Sequence, residues 1–365
     1  MNVIKKVRGV VSFAYTCQAD KQFSDKFWSR HHIASNGYYS VRQYRAATCT
    51  ELGKPLQITE KKSNELKPGQ IRVKIHAAAV NFADVLINNG LYQVKHKPPF
   101  TSGLEFAGVV IETGKDTKTK VGTRVVGMEF MTGHAEETCV QENVVYQIPD
   151  DMDFATAASG ITSSYATAVG ALESKARIQP GEKLLVTAAG GALGLAAIDL
   201  AKNVYGAEVI AAAGGSDKCN FLEQKGFKTI DYSKESIKEA VKKAYPKGMD
   251  VALDSNGGDH FMECFKSMAV DGRLLSLGFS TGKFPSVPVN HMLVKNITVT
   301  GFYWGIYHKY DVSYERWTIN ETFRYFTDGK INPHIGATFS LDKINDAFAY
   351  IRKRKSIGKV VIEIQ

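Results

Sequence analysis

The sequence predicts an α/β protein of two units, a β-rich and mostly antiparallel one and a doubly wound parallel sheet. Three observations predict it. The 365 residues exceed the ~250 at which a single hydrophobic core stops growing, so two domains are expected. From Tyr44 to Pro149 short alternating runs are broken by turns, punctuated by Gly103, Gly108, Gly114, Gly122, Gly127 and Gly133, the spacing of antiparallel strands. After the turn Gln179-Pro180-Gly181, apolar strands alternate with helical segments, which is how βαβ units and a parallel sheet read.

Residues 1 to 42 stand apart from both units. They hold seven Lys/Arg against Asp20 and Asp25, a net charge of +5 out of +9 for the whole chain. Ser12, Ser24, Ser29, Ser35 and Ser40 lie among them, and no apolar stretch serves as a secretory core. A basic, Ser-rich, acid-poor leader fits a mitochondrial transit peptide, with a plain disordered extension in a cytoplasmic protein as the alternative. In the first unit, strands are expected at Leu56 to Thr59, Ile71 to Ala77, Ala107 to Glu112, Arg124 to Met128 and Ala135 to Val140. In the second they are expected at Lys183 to Thr187, Ala207 to Ala212, Thr229 to Asp231, Asp250 to Leu253, Arg273 to Leu277 and Ile297 to Thr300. The segment from Trp304 to the strand Gly358 to Ile362 is too short to stand alone and is expected to return to the first unit.

Between the strand at Lys183 and the helical stretch Leu195 to Asn203 lies Ala188-Ala189-Gly190-Gly191-Ala192-Leu193-Gly194. Counted back from Gly194 this is Ala-x-Gly-x-x-Gly, a variant of the dinucleotide fingerprint with Ala189 at its first glycine. Gly191 would let the backbone approach a pyrophosphate and Gly194 would let the helix pack on the sheet. The helix N-terminus offers unpaired N–H groups to phosphate. NAD-binding chains carry an acid at the end of the next strand, whereas here that strand runs into Gly214-Gly215-Ser216-Asp217-Lys218. This favours NADPH, with Ser216 and Lys218 facing the 2′-phosphate and Asp217 a helix N-terminal residue.

Other chemistries fit less well. Gly278-Phe279-Ser280-Thr281-Gly282 spells a nucleophile elbow, but Lys283-Phe284-Pro285-Ser286-Val287-Pro288 forbids the helix an elbow needs. The nine histidines show no metal-ligand spacing, and no metal site is expected. The five cysteines, at least 32 residues apart, form no disulfide framework. Arg352-Lys353-Arg354-Lys355 lacks interleaved aromatics and reads as a solvated helix end, against a nucleic-acid partner. The longest apolar stretch, Leu184 to Ile198, falls short of the ~18 residues of a membrane span.

From Tyr44 onward the chain resembles the zinc-independent quinone oxidoreductases of the medium-chain dehydrogenase/reductase superfamily, and within them the quinone oxidoreductase-like proteins. The resemblance rests on AAAVNFADVLINNGLY (77 to 92), GLEFAGVV (103 to 110), GTRVVGM (122 to 128), GHAEE (133 to 137), YATA (165 to 168), TAAGGALGLAA (187 to 197), IDY (230 to 232), DSNGG (254 to 258) and GKVV (358 to 361), in that order. It implies a GroES-like β-rich catalytic domain of residues 43 to 164 and 302 to 365, with a Rossmann domain of residues 165 to 301 inserted. Zinc-dependent members have Gly-His-Glu where this chain has Gly103-Leu104-Glu105 and a cysteine near Val80-Asn81. Without those ligands alcohol oxidation by a Lewis acid is not expected. The resemblance places Asn81, of the Asn81-x-x-Asp84 pair, near the nicotinamide and Tyr92 at the substrate cleft. It puts Tyr232 with Ser216 and Lys218 around the 2′-phosphate and Asn256 after the fourth strand. Gly278, Phe279, Ser280, Phe302, Tyr303 and Trp304 then border the nicotinamide. Leu86 stands where many quinone reductases have a tyrosine, so part of their pocket is altered. Local roles are the alternative: turns for Asn81 and Asp84, packing for Tyr92, a strand end for Tyr232, a solvated lysine for Lys218.

The expected reaction is hydride transfer from NADPH to a quinone or to the β-carbon of an α,β-unsaturated carbonyl. The alternatives are a mitochondrial enoyl-thioester reductase with Tyr92 as proton donor, and a non-catalytic NADPH-binding protein. A homodimer, common in this family, is the expected assembly.

Overall fold

The computed structural model describes residues 42–365. The expected basic leader, with Cys17, lies outside the described residues except at its end. Arg42, assigned to that leader, begins the folded unit instead: its guanidinium lies 2.8 Å from the buried Glu137 carboxylate.

The β-rich part comprises β1 (Gln43–Cys49), β2 (Gln57–Lys62), β3 (Gln70–Val80), α1 (Phe82–Asn88), β4 (Phe100–Thr101), β5 (Glu105–Thr113), β6 (Arg124–Met128), β7 (Glu137–Gln141) and β8 (Val145–Gln147). Two short helices follow, α2 (Phe154–Ala158) and α3 (Ala166–Val169), with a π-helical turn, Ile161–Tyr165, between them. The parallel part is β9 (Lys183–Val186), α4 (Ala192–Asn203), β10 (Glu208–Ala213), α5 (Ser216–Gln224), β11 (Lys228–Asp231), α6 (Ile237–Ala244), β12 (Met249–Asp254), α7 (Gly258–Lys266), β13 (Met268–Ser276), α8 (Val289–Lys295) and β14 (Thr298–Gly301). The chain closes with α9 (Tyr307–Tyr310), α10 (Val312–Thr327), β15 (Ile335–Ser340), α11 (Ile344–Arg352) and β16 (Lys359–Glu363).

Strand β3 lies at the centre of a seven-stranded sheet and is covered on both faces over much of its length: Ile71, Val73 and Ile75 are buried on one face, Arg72 is buried on the other, and Ala77 to Val80 are buried in succession. The strand pairs antiparallel with β5, β7 and β16. The strand order is β15-β16-β3-β5-β6-β8, with β7 also on β3, so the last strand of the chain returns to the first unit as expected. A smaller sheet, β2-β1-β4, covers it.

Strands β9 to β14 form a six-stranded sheet in the order β11-β10-β9-β12-β13-β14, parallel throughout. Neighbouring βα units diverge between β9 and β12, and ligands of such sheets bind at that switch point, outside the carboxyl ends of the strands. One apolar cluster joins the two sheets, containing Ala107 and Val126 from the first and Leu184, Val186 and Leu253 from the second. Residues 302 to 331, expected with the first unit, touch both: Phe302, Trp304, Ile319 and Tyr325 belong to the cluster that joins the two sheets, and Glu315 and Arg316 bond to Tyr146 and Asn143 of the first unit. Helix α10 packs on α3 and on the π-helical turn before the chain runs on into β15.

Candidate functional site

At the carboxyl end of β9 the chain turns sharply, with Ala188 in the left-handed region at φ 49°. Gly191 follows as the cap of α4, its N–H bonded to the Ala188 carbonyl at 2.9 Å. Ala192, Leu193 and Gly194 then open the helix, where N–H groups have no intrahelical acceptor and suit an anion. Gly194 has the packing role expected of it: a Cβ there would sit 2.4 Å from the Ala188 oxygen. Ala189 is buried and donates to the Ala212 carbonyl at 3.0 Å, tying the loop to β10. Gly190 is covered by the Lys218 side chain, which a Cβ would approach to 3.1 Å, and its carbonyl accepts the Gly358 N–H at 2.8 Å.

Beyond β10, Ser216 begins α5 and its Oγ accepts from Lys234 at 2.7 Å. Asp217 lies in the first turn of that helix, exposed, as expected. The Lys218 ammonium is held below its ordinary pKa, first by burial and then by the nearby Arg354 charge. Three cations thus gather here, with two acids among them, Asp217 and Asp231; Asp231 lies 3.5 Å from Lys234 and also accepts the Gly215 N–H at 2.9 Å. Its carboxyl is lowered to about 2, chiefly by the Ser233 hydroxyl. Tyr232 lies against Gly214, where a Cβ would come within 2.7 Å of the ring, and tilts over His260 at 4.3 Å. Lys234 and Arg354 were not anticipated from the sequence. Lys234 lies two residues past the quoted Ile-Asp-Tyr, and Arg354 hides in the basic run at the end of α11.

Asn256, after β12, is buried; its Oδ1 accepts from Ser280 Oγ at 2.9 Å, and its Nδ2 has no partner within the protein. A buried amide donor left free beside the switch point is a group that fits a ligand. Gly278 follows β13, and the loop is held by Ser280 N–H to the Ser255 carbonyl at 3.0 Å, leaving Phe279 partly exposed. Of the residues after β14, Phe302 and Trp304 turn into the core, Trp304 donating to Thr318 Oγ1 at 2.9 Å. Only Tyr303 faces outward, its hydroxyl 3.3 Å from that of Tyr92. Tyr92 also stands 6.0 Å from the Phe130 ring. Its phenol is pushed well above the ordinary value by burial first and then by Tyr303, so it keeps its proton at neutral pH.

Asn81 and Asp84 sit where β3 runs into α1, over a buried ionic cluster. The Lys359 ammonium and the Glu105 carboxylate are 3.0 Å apart and both are essentially sealed, at 1% and 0% exposure. Lys359 also donates to Asn81 Oδ1 at 2.6 Å and Ser163 Oγ at 3.0 Å. Glu105 receives Ser163 Oγ at 2.7 Å, Thr162 Oγ1 at 2.8 Å, the Ser163 N–H at 3.1 Å and Asn81 Nδ2 at 3.3 Å. So many bonds hold the Glu105 carboxyl group in one place, and the π-helical turn, a device common at functional sites, is what aims Thr162 and Ser163 at it. Asp84 Oδ2 accepts the Asn81 N–H at 2.7 Å, and its buried carboxyl is pushed up to about 7 by desolvation, with the Asn81 N–H and Lys359 opposing and Glu105 adding. Glu105 and Lys359 lie inside sequence motifs already noted, and a lysine followed by Val360, Val361 and Ile362 is the signal that it is buried. Among the described residues no group of three or more His, Cys, Asp and Glu is arranged to hold a metal ion.

Comparison with known proteins agrees with this architecture. Residues 67–178 match the family model "Alcohol dehydrogenase GroES-like domain" and residues 192–317 match "Zinc-binding dehydrogenase". The chain is 44% identical over 344 residues to quinone oxidoreductase-like protein 2 of Bos taurus, spanning 93% of this chain and 98% of that protein. Among solved structures it is similar to a probable oxidoreductase from Mycobacterium abscessus, with 28% identity, a TM-score of 0.79, and coverage of 88% and 99% of the two chains. A mycobacterial protein complexed with NADPH has 25% identity, a TM-score of 0.79 and the same coverage. The fold and site define a medium-chain dehydrogenase/reductase. The chain belongs, within that superfamily, to the quinone oxidoreductase-like proteins, and is an oxidoreductase.

Proposed function

We propose that this enzyme reduces a quinone or an α,β-unsaturated carbonyl with NADPH. One observation carries the cofactor choice: Lys218, Lys234 and Arg354 converge near Ser216 beside a glycine loop, and the tip of β10 bears no acid. Bound there, NADPH supplies a hydride; the protein supplies placement and a proton. Ala192 to Gly194 and α4 would hold the pyrophosphate. Ser216, Lys218, Tyr232, Lys234 and Arg354 would hold the 2′-phosphate, and the free Asn256 amide would hold the ribose or ring edge. Asn81, its carboxamide oxygen fixed by Lys359 and Ser163, would orient the nicotinamide side of the cleft. The test is direct: NADPH should raise the melting temperature of the purified protein more than NADH does, and equal shifts would remove the 2′-phosphate assignment.

The Tyr92–Tyr303 hydroxyl pair favours a second reading of the acceptor, an enoyl thioester whose enolate takes a proton from Tyr92. A panel of ortho- and para-quinones, alkenals and enoyl-CoA, assayed by NADPH oxidation, separates the readings. With the best acceptor, Tyr92→Phe should lose turnover while retaining NADPH binding if Tyr92 donates the proton. Unchanged turnover would take Tyr92 out of the chemistry.

The assembly proposed is a homodimer paired along β14. This strand ends the six-stranded sheet, and Val289, Leu293 and Val294 of the neighbouring α8 are more than 70% exposed. A wild-type mass of one chain by light scattering would refute it. The proposed location is the mitochondrial matrix, tested by whether residues 1–42 carry a fluorescent fusion there.

A further inference from the structure

Two stretches of the chain hold no Asp or Glu, although the whole has 37 such residues among 365: residues 85–104 and 272–310, which together carry six Lys/Arg. The fold brings part of each to one place. The first contains the loop after α1 and the second runs past β14 into α9, and they meet where the Tyr92 hydroxyl lies 3.3 Å from that of Tyr303. Leu91 and Val94 stand within two positions of Tyr92. Ile306 and Tyr310 follow Tyr303 along a short helical run, which at about 1.5–2 Å per residue keeps their backbone within about 15 Å of it. The mouth of the cleft therefore has two lips, and neither carries an acid.

Both lips are apolar at their tips. Leu91 and Tyr310 are 70% and 72% exposed, and Val94, Tyr303 and Ile306 are exposed as well. Lysines stand among them, Lys95 and Lys97 on one lip and Lys309 on the other, all exposed. Lys95 turns to the Gly90 carbonyl at 2.5 Å and Lys309 lies 5.6 Å over the Tyr310 ring, so neither charge is spent on a carboxylate. The first acid beyond the second lip, Asp311, caps α10 instead, accepting the Tyr314 N–H at 3.0 Å. Val289, Leu293 and Val294, exposed in the same stretch, belong to the sheet edge assigned above to the dimer.

Large apolar side chains grouped in water mark a surface that something covers. The interleaved lysines indicate what covers it. Protein interfaces are depleted of lysine, whereas a membrane surface suits both residue types. There a tyrosine ring sits at headgroup level, and a lysine lays its stem on apolar ground while its ammonium meets lipid anions. Each lysine beside an anionic leaflet is worth about fivefold in binding. We propose that the mouth of the cleft docks on an anionic phospholipid surface, with Leu91, Val94, Ile306 and Tyr310 entering the headgroup layer and Lys95, Lys97 and Lys309 pairing with lipid anions. An acceptor dissolved in the bilayer would then reach the cleft without crossing water. That consequence rests on the function proposed above; the docking does not.

The test is co-sedimentation of the full chain with vesicles of phosphatidylcholine alone or of equimolar phosphatidylcholine and phosphatidylserine, a readout free of catalysis. Wild type should bind the phosphatidylserine vesicles at least about tenfold more tightly than the neutral ones. Lys95→Gln/Lys97→Gln/Lys309→Gln should abolish that preference, and Leu91→Ser/Val94→Ser/Ile306→Ser/Tyr310→Ser should weaken binding to the phosphatidylserine vesicles by at least about tenfold. All seven side chains are exposed, and Tyr92 and Tyr303 stay in place. Undiminished binding in either variant would put the contact elsewhere on the chain, residues 1–42 included, and overturn the proposal. So would a wild-type chain that stays in the supernatant with both kinds of vesicle, the result expected if a protein partner covers the lips.

Discussion

The ion pair under Asn81 and the cations around Ser216 are built in opposite ways. Lys359 and Glu105 are sealed, and every bond they make stays within the protein. Lys234, by contrast, is 65% exposed, and the Lys218 and Arg354 charges raise each other's cost. A closed set of charges fixes a shape, here the carboxamide of Asn81. A set with surplus charge of one sign is completed by something from outside. Charge alone therefore does not mark a candidate binding site; unmatched charge does.

The largest effect expected from this contrast comes from breaking the closed set. Lys359→Met should cost about 3–5 kcal/mol in chemical denaturation, since Glu105 would stay buried without its counter-charge. Adding Glu105→Gln should recover part of that loss. A double variant no more stable than Lys359→Met would mean that packing, not charge, holds the cluster.

Next in size is a pH effect at the edge of the same cluster. With its folded pKa raised to about 7 from 3.8, Asp84 binds a proton in the folded chain over a range where the unfolded chain has lost it. Stability from this group is thus full below about pH 4, falls as pH rises toward 7, and is flat above. His134 works with the opposite sign: lowered to about 4 from 6.5, it costs stability as pH falls through that range. The two offset each other between pH 4 and 6.5. Asp84→Asn should unmask His134, so that melting temperature climbs more steeply with pH there and exceeds wild type at pH 7, by an amount worth a few kcal/mol at about 1.4 per pKa unit. Parallel profiles for the two proteins would mean that Asp84 does not titrate in this range.

The open set should respond differently. Lys218→Ala/Arg354→Ala should weaken NADPH by about 10- to 100-fold, the worth of charged hydrogen bonds, with NADH affinity and melting temperature little changed. An equal loss for both cofactors would place these cations away from the 2′-phosphate.

What could be read from the sequence follows the same division. The glycine loop was legible because its chemistry is backbone chemistry, written in consecutive residues between a strand and a helix. Gly194 is confined by Ala188, six positions back. The closed cluster was only half legible. Asn81 and Asp84 are neighbours in sequence, but Lys359 reaches Asn81 across 278 positions, and Thr162 and Ser163 are aimed by a π-helical turn that no residue pattern announces. Phe302 and Trp304 show the converse: they read as lining residues in the sequence, but packing buries both and leaves only Tyr303 of the three facing outward. Strands β1, β4, β8 and β15 were missed because they are short or weakly alternating and owe their form to the partners beside them.

The smallest effect comes from a pair that matches the Lys359–Glu105 chemistry but lies in solvent. Arg45 reaches Asp342 at 3.2 Å, with 45% and 61% of the two side chains exposed, and Glu136 at 2.7 Å. It ties the first strand to the turn before α11, 297 positions away, so on a contact map it looks as important as the buried pair. Water, however, already solvates both charges when the contact breaks, and holding two mobile side chains together has its own entropic cost. Asp342→Asn should change stability by no more than about 0.5 kcal/mol, and less still in high salt. A loss approaching that of Lys359→Met would show that span across the fold, rather than burial, sets the worth of an ion pair in this protein.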